Sequence, residues 1–140
     1  MIKTASQKII NNILPDNWFC GRALKGKGRG RKIGFPTINL FLNTPFVLKN
    51  GVYLTLLKIE NKNYYGLLHY GPRLIYQEIK PQTEIYVLNF KKNVKLGTKI
   101  KFKPLVFLRK TKKFPSEKGL KLQIKTDVKK AKNFLKSDKV

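Results

Sequence analysis

The stretch GRALKGKGRGRKIGFPTINL, residues 21–40, is the most informative part of this chain of 140 residues. Its glycines Gly26, Gly28, Gly30 and Gly34 lie close together and are interleaved with lysine and arginine. Glycine lets the backbone approach a ligand closely and adopt positive φ angles, while the basic side chains attract phosphate. The stretch therefore predicts a phosphate-binding loop.

Two well-known phosphate-binding patterns do not fit this loop. Residues 21–27 read GxxxxGK, as in a P-loop, but Gly28 stands where a Ser or Thr must contact Mg²⁺. Arg31 and Ile33 occupy the places of the third glycine in a GxGxxG turn, which excludes a dinucleotide-binding turn. The loop is therefore of another kind.

Two oxygen-bearing side chains, Thr37 and Asn39, follow the loop directly after the rigid Pro36. Residues two apart on an extended backbone point to the same side, so the hydroxyl and amide oxygens can converge. Such oxygens suit a hard cation such as Mg²⁺ beside phosphate oxygens. The alternative is a turn in which both side chains bond to their own backbone, and the spacing alone favours that turn.

The charge of the chain points to an anionic partner. There are 31 Lys and Arg residues against 7 Asp and Glu, which gives a formal net charge of +24. Such a charge attracts nucleic acid, nucleotide phosphates and anionic lipid. Tyrosines such as Tyr64, Tyr65 and Tyr70 are able to stack on bases. A basic, nucleic-acid-binding barrel is therefore an alternative function, and non-specific polyanion binding is expected at low salt.

Residue counts exclude several other classes of protein. Cys20 is the only cysteine and His69 the only histidine, which excludes an internal disulfide, a cysteine-based zinc cluster and a two-histidine metal site. The apolar stretches fall well short of the ~20 residues of a membrane span. The N-terminus does not have the pattern of a signal peptide. We therefore expect a cytoplasmic protein without a membrane partner.

The remaining sequence predicts short strands flanked by two helices. A short N-terminal helix is expected at residues 6–14, ending before Pro15. Strands are predicted at residues 18–24, 51–59, 64–70, 83–90, 99–103 and 105–108. Asn61-Lys-Asn63 is expected to turn a hairpin between the second and third of these strands. Pro104 predicts a bulge or a break.

The C-terminal segment predicts an amphipathic helix over residues 115–136. Ser116 is the expected N-cap, and Glu117 falls in the first turn. Apolar residues recur at spacings of three and four and form one stripe: Leu120, Ile124, Val128, Ala131 and Leu135. Short strands with one such helix indicate an antiparallel barrel or sandwich with a helix packed against it. We expect a single domain, with a helical extension at 1–17 and the barrel at 18–112.

Residues 21–40 closely resemble the nucleotide-binding segment of the riboflavin kinase (flavokinase) family. The Pro-Thr-Ala-Asn motif of that family reads Pro36-Thr37-Ile38-Asn39 here. Further matches, in the expected order, are Gly51-Val-Tyr53, the strand 83–90, and the C-terminal residues Leu108-Arg109, Phe114, Leu120, Gln123-Ile124, Asp127 and Ala131. The resemblance covers residues 19–135. It implies a mainly β fold, a six-stranded antiparallel Greek-key barrel with a C-terminal helix packed against it.

The same resemblance implies a reaction and its residues. The γ-phosphate of ATP would be transferred to the 5′-hydroxyl of riboflavin to make FMN, with Glu84 as catalytic base. Thr37 and Asn39 would hold Mg²⁺, with Zn²⁺ or Mn²⁺ as alternatives. The residues implied for ATP are Gly21, Lys25, Gly26, Gly28, Arg29, Gly30, Gly34, Pro36, Thr37 and Asn39. Those implied for riboflavin and FMN are Gly97, Arg109 and Phe114.

Alternatives remain for the role of Glu84 and for the binding of riboflavin. Strand alternation places Glu84 on an aromatic and apolar face, where a carboxylate is costly unless it is paired or functional. The alternative is a sheet-edge ion pair with a lysine. The segment 69–82 departs from the family pattern, because it starts His69-Tyr70-Gly71-Pro72 where Asn-Ile-Gly and then Pro-Thr-Phe are usual. A catalytically retired flavin-binding relative is thus a further alternative. We expect a monomer without an FMN adenylyltransferase domain.

Overall fold

The structure is a computed structural model that describes residues 17–26, 28–43, 46–72 and 81–137. Its elements are β1 (Phe19–Leu24), α1 (Arg29–Lys32), β2 (Ile38–Leu42), β3 (Gly51–Ile59), β4 (Lys62–Gly71), β5 (Gln82–Val87), β6 (Lys99–Arg109) and α2 (Glu117–Lys136). The predicted helix at residues 6–14 lies outside the described residues, as does the part of segment 69–82 from 73 to 80.

The six strands form one closed antiparallel barrel in the order β1-β2-β5-β4-β3-β6. β3, β4 and β5 pair in sequence, whereas β2 joins the barrel beside β5 and β6 joins it beside β3. This is Greek-key connectivity, because a strand distant along the chain returns to lie beside the first of three consecutive strands. The barrel implied by the family resemblance is confirmed, and the sandwich is excluded.

The hairpin of β3 and β4 is confirmed, but its turn consists of Glu60 and Asn61 and so begins one residue before the predicted turn at Asn61–Asn63. Ile59 pairs with Lys62, and Glu60 and Asn61 between them have φ angles of 49° and 66°. Two successive positive φ angles suit the right-handed twist of paired strands. β5 ends at Val87, three residues before the predicted end at residue 90, because the chain then turns at residues 88 and 89.

β6 passes through Pro104 as one strand, where the sequence predicted two. Thr55 pairs with Pro104 and Leu54 pairs with Val106, so Leu105 is an extra residue on β6. The feature is therefore the predicted bulge and not a break. A bulge interrupts the ladder of hydrogen bonds, which is where a residue without an N–H group is tolerated in a sheet.

Side chains fill the interior of the barrel. The buried members of this core are Phe19, Leu40, Phe46, Tyr53, Leu57, Ile59, Leu68, Ile85, Val87, Ile100 and Phe102. Burial raises the pKa of Tyr53 to about 12, so its hydroxyl stays protonated, and it donates a hydrogen bond to the carbonyl oxygen of Lys49. Small barrels are wide enough only for their own side chains, which leaves the outer surface for ligands.

Helix α2 packs on that outer surface, as predicted. The Ser116 hydroxyl caps it by accepting a hydrogen bond of 3.2 Å from the backbone N–H of Gly119. Ala131 and Phe134 pack in a second core with Val52, Leu54, Leu67, Val106 and Leu108 of the barrel. Burying a side chain the size of Phe134 stabilises the docked helix by roughly 1.5–3 kcal/mol. No helix in the described part of the chain has the length and apolar character needed to cross a membrane.

Candidate active site

A row of side chains crosses the outer face of the barrel beneath α2. Asn39 on β2 lies directly opposite Glu84 on β5, and Glu84 lies directly opposite His69 on β4. The row continues through Val52 on β3 to Arg109 on β6. Residues in such pairs have Cβ atoms about 4.5–5.5 Å apart. Strand register thus places an amide, a carboxylate and an imidazole side by side, with a guanidinium two strands farther along.

The glycine-rich loop lies against the Asn39 end of this row. It includes α1, a single helical turn that was not predicted from the sequence. Gly28 directly precedes this turn and has a φ angle of 72°. The backbone N–H of Phe35 donates to the carbonyl oxygen of Gly30 at 2.8 Å, which closes the loop. The loop passes so near Asn39 that a Cβ on Gly26 would lie 1.8 Å from Asn39 Nδ2. A glycine at position 26 therefore leaves room for the amide.

Three cavities follow the row from the loop to Arg109. Their volumes are about 650, 150 and 40 Å³. Thr37 lines all three, Asn39 lines the first two, and Glu84 lines the last two. Thr37 therefore stands where the large cavity on the loop side meets the smaller ones beneath α2.

The large cavity is strongly basic. The loop contributes Lys25, Gly26, Gly28, Gly30, Arg31, Pro36 and Thr37 to its lining. The segment after β5 contributes Phe90, Lys91, Lys92, Asn93 and Val94. Cations on two sides and one aromatic ring suit an anionic ligand that also carries an apolar part. The size of this cavity falls within the range of about 300–1,000 Å³ that is usual for small-molecule sites.

Not every residue implied for ATP lines this cavity. Arg29 lines the second cavity. Gly21 lies within β1, where a Cβ would be 2.9 Å from the carbonyl oxygen of Phe41, and Gly34 has a φ angle of 89° at the end of the loop. Neither Gly21 nor Gly34 lines any of the three cavities. Both glycines therefore shape the backbone around the site without facing it.

Residues 90–94 line the large cavity but were not among the residues predicted for the site. A signal was present, because Phe90 and two lysines directly follow the strand that carries Glu84. Reading that signal requires knowing that β5 lies beside β2, which brings the end of β5 to the loop.

At the far end of the row, Arg109 is held by Asp127 of α2. Arg109 Nε donates to Asp127 Oδ1 at 2.9 Å, and Arg109 Nη2 donates to Asp127 Oδ2 at 2.9 Å. Gln123 Nε2 donates to Asp127 Oδ1 at 3.0 Å. Asp127 is only 3% exposed. The ion pair ties α2 to β6 and fixes the guanidinium on the wall of the third cavity.

Two of the three residues implied for riboflavin lie together, and the third lies elsewhere. The Phe114 ring centroid is 5.8 Å from the guanidinium carbon of Arg109. Gly97 instead lies beside β1, where its N–H donates to the carbonyl oxygen of Ala23 at 2.8 Å. Gly97 and Arg109 flank opposite ends of β6, which at ~3.3 Å per residue are roughly 30 Å apart. The structure therefore groups Arg109 with Phe114 but not with Gly97.

The junction between the cavities carries donors that suit a hard cation. Thr37 and Asn39 offer a hydroxyl oxygen and an amide oxygen there. In phosphoryl-transfer sites Mg²⁺ is held by one or two protein groups, by substrate phosphates and by water. Among the residues that the structure describes, no group of three His, Cys, Asp or Glu side chains is placed to hold a metal. The donors present therefore fit a cation that is held jointly with phosphate.

Comparisons with known proteins agree with this geometry. A family model described as "Flavokinase: Riboflavin kinase" matches residues 16–135. The "Trifunctional protein RibF/MnmA" of Mycoplasmoides gallisepticum is 35% identical over 115 residues, which are 81% of this chain and 17% of that protein. The "RNA-binding riboflavin kinase RibR" of Bacillus subtilis is 33% identical over 109 residues, which are 77% of this chain and 46% of that protein.

A solved structure shares the fold as well. It is described as "Crystal Structure of Macrolide-efflux Protein from Streptococcus pneumoniae" and superposes with a TM-score of 0.75 at 25% sequence identity. The superposition covers 94% of this chain and 47% of that one. This chain therefore spans less than half the length of each of these three similar proteins.

Proposed function

The chain belongs to the riboflavin kinase family, and we propose that it transfers the γ-phosphate of ATP to the 5′-hydroxyl of riboflavin, making FMN. The observation that carries this proposal is the position of Thr37, which lines the large basic cavity and both smaller ones. Asn39 and Glu84 are cross-strand neighbours at the same place. A hydroxyl, an amide and a carboxylate thus meet where a phosphoryl group would pass from one substrate to the other.

ATP would occupy the large cavity, with its phosphates directed toward Thr37. Lys25, Arg31, Lys91 and Lys92 line this cavity and would balance part of the phosphate charge. Riboflavin would approach from the side of Glu84, beside Arg109 and Phe114. The second and third cavities, at about 150 and 40 Å³, are small for a flavin ring. We therefore expect residues 110–116, which join β6 to α2, to move outward when riboflavin binds.

In this proposal Glu84 acts as the general base. It accepts the proton of the 5′-hydroxyl while that oxygen forms a bond to the γ-phosphorus. The bond from the γ-phosphorus to the oxygen shared with the β-phosphate breaks, and ADP leaves. Thr37 and Asn39 orient the phosphates, and Mg²⁺ bound by them would neutralise developing charge. Because both donors are oxygen atoms, the site favours Mg²⁺ or Mn²⁺ over Zn²⁺.

The test is FMN formation by the purified chain with riboflavin, ATP and MgCl₂, followed by chromatography with fluorescence detection. Glu84→Gln keeps the shape of the side chain but weakens it as a base, so kcat should fall by roughly 10²–10⁴-fold. Glu60→Gln makes the same change in the exposed β3–β4 turn and should leave kcat unchanged. Flavin binding without FMN formation by the unaltered chain would instead favour a retired flavin-binding protein. Unfolding of Glu84→Gln would favour a structural ion pair.

We also propose that the chain acts as a monomer in the cytoplasm. Its net charge of +24 disfavours self-association, because like copies repel each other. The same charge is expected to bind polyanions without sequence preference at low salt. Sedimentation at moderate salt would test the monomer, and a shift to a dimer would contradict it.

A further inference from the structure

A second charged surface lies on the parts of the barrel that α2 does not cover. We call it the basic barrel face. Its cations are Arg22, Lys58, Lys99, Lys101 and Lys103, and its aromatic residues are Trp18, Phe41 and Tyr65. These rings are unusually open for large apolar groups, since Phe41 is 61%, Trp18 41% and Tyr65 39% exposed. No residue of this face belongs to the row from Asn39 to Arg109.

Strand register brings like charges together on this face. Arg22 on β1 lies directly opposite Lys99 on β6, and Lys101 on β6 lies directly opposite Lys58 on β3. Like charges in directly opposed positions destabilise a sheet. Of the acidic residues in the described part of the chain, only Glu60, in the turn after β3, adjoins these cations in sequence. An anionic partner would lower the repulsion between these like charges.

The aromatic residues stand among these cations. The Nζ atoms of Lys103 and Lys58 lie 5.2 and 5.8 Å from the centroid of the Trp18 ring. Lys103 is opposite Leu56, and Leu56 is opposite Tyr65, so Tyr65 lies two strands from Lys103. At ~4.8 Å between strands, that separation is about 10 Å. Phe41 is opposite Arg22 on β1. Each exposed ring therefore lies within two strands of a cation of this face.

We infer that the basic barrel face binds single-stranded nucleic acid. Trp18 and Tyr65 would stack on bases, while Lys58, Lys101 and Lys103 would contact phosphates, as in other sequence-tolerant single-strand sites. A duplex would satisfy the cations but not the rings, because its bases are stacked on one another. The lysines on the outer side of α2 differ in this respect. Lys118, Lys125 and Lys132 have no exposed aromatic ring beside them on that helix.

Trp18 provides a direct signal for this inference, because it is the only tryptophan in the chain. The full chain would be titrated with a 12-nucleotide oligouridine at several salt concentrations, and Trp18 fluorescence would be followed. We expect the oligonucleotide to quench Trp18, and a duplex with the same number of phosphates to quench it much less. Tyr65→Ala should weaken oligonucleotide binding by roughly 5- to 150-fold through loss of one stacked base.

Two matched triple variants separate a local site from the effect of net charge. One is Lys58→Gln with Lys101→Gln and Lys103→Gln, on the basic barrel face. The other is Lys118→Gln with Lys125→Gln and Lys132→Gln, on α2. Both remove three charges, but only the first should reduce the slope of log K against log salt, by about 2 for three lost contacts at ~0.7 each. FMN formation should be unaffected by the first triple, so this test does not depend on the proposed activity.

Several outcomes would overturn the inference. Equal weakening by the two triple variants would show that net charge alone drives binding. Equal quenching of Trp18 by the duplex would show that phosphates are bound without stacking. Quenching by vesicles of an anionic lipid but not by the oligonucleotide would assign the surface to a membrane. If the first triple variant does not fold, oligonucleotide binding by Tyr65→Ala is the deciding measurement. Unchanged binding in that variant overturns the inference.

Discussion

Replacing Gly26 by alanine would displace the Asn39 amide and so test whether the glycine-rich loop positions it for phosphate transfer. A Cβ at position 26 would lie 1.8 Å from Asn39 Nδ2 and 2.6 Å from Asn39 Cγ. Carbon atoms in ordinary contact are about 3.5–4.0 Å apart, so the amide must move by at least roughly 1 Å. A shift of that size in a positioning group can cost about 10²-fold in rate. We expect kcat/KM for ATP to fall by that amount in Gly26→Ala.

Stability should respond differently from activity. Asn39 is half-buried, and its amide is the mobile end of a side chain, so Gly26→Ala should change the free energy of unfolding little. Gly97→Ala is the matched control, because Gly97 lines none of the three cavities. No atom lies within 4 Å of a Cβ at Gly97, but its φ angle of 84° is strained for alanine. We expect this control to lose about 1–2 kcal/mol of stability and to keep most of its activity, because Asn39 stays in place.

The assays are FMN formation at varied ATP concentration and unfolding in urea. The double variant Gly26→Ala with Asn39→Ala should be no less active than Gly26→Ala alone, because an amide that is already displaced has nothing more to lose. Unchanged kcat/KM in Gly26→Ala would refute the role of the loop. So would fully additive losses in the double variant, since the two residues would then act independently.

Three further predictions concern the metal, the ion pair and the core. Thr37→Ala should remove the Mg²⁺ dependence of the thermal stabilisation given by ADP, because a ligand held through the metal stabilises only when the metal is bound; melting curves with and without Mg²⁺ would test this. Asp127→Ala should lower the free energy of unfolding by about 3–5 kcal/mol, because it leaves Arg109 without its buried partner. Adding Arg109→Met to that variant should recover part of the loss, as measured by unfolding in urea. The pKa of Tyr53 is raised from 10.0 to about 12, so its contribution to stability is present below pH 10 and is lost as pH rises toward 12. Across that pH range, the free energy of unfolding should therefore fall less steeply for Tyr53→Phe than for the unaltered chain.

Features of the fold that depend on residues close together in the sequence were predictable. Ser116 follows a proline and precedes an apolar stripe, and the structure places it as the cap of α2. The paired strands of the β3–β4 hairpin were recognised from their composition, although the turn was misplaced. The single turn of α1 was not predicted, because four residues rich in glycine and arginine carry almost no helical signal. Phe134 was not assigned to the core, because the stripe was drawn through its neighbour Leu135.

The site itself depends on pairings between distant parts of the chain. Sequence alternation placed Asn39 and Glu84 on strand faces, but only the pairing of β2 with β5 makes them neighbours. The resemblance associated both residues with one reaction without giving a contact. The pairing of Arg109 with Asp127 is of the same kind, since it joins a strand to a helix. Asp127 carried a signal in the sequence, as an acidic residue among the apolar positions of a helix in a very basic chain.

Because side chains fill the interior of the barrel, the groups that we propose to react stand on its outer face, where they need a cover. A side chain on an outer face is open to water, which weakens the electrostatic interactions that stabilise a transferring phosphate. Here α2 supplies part of the cover, because Leu120 and Ile124 line the same two cavities as Glu84. The ion pair of Arg109 with Asp127 fastens that helix to the barrel at the end of the row. In the proposed reaction the ion pair therefore acts through the position of α2 as well as through the guanidinium. Loss of either partner should expose the cavities beside Glu84 to water.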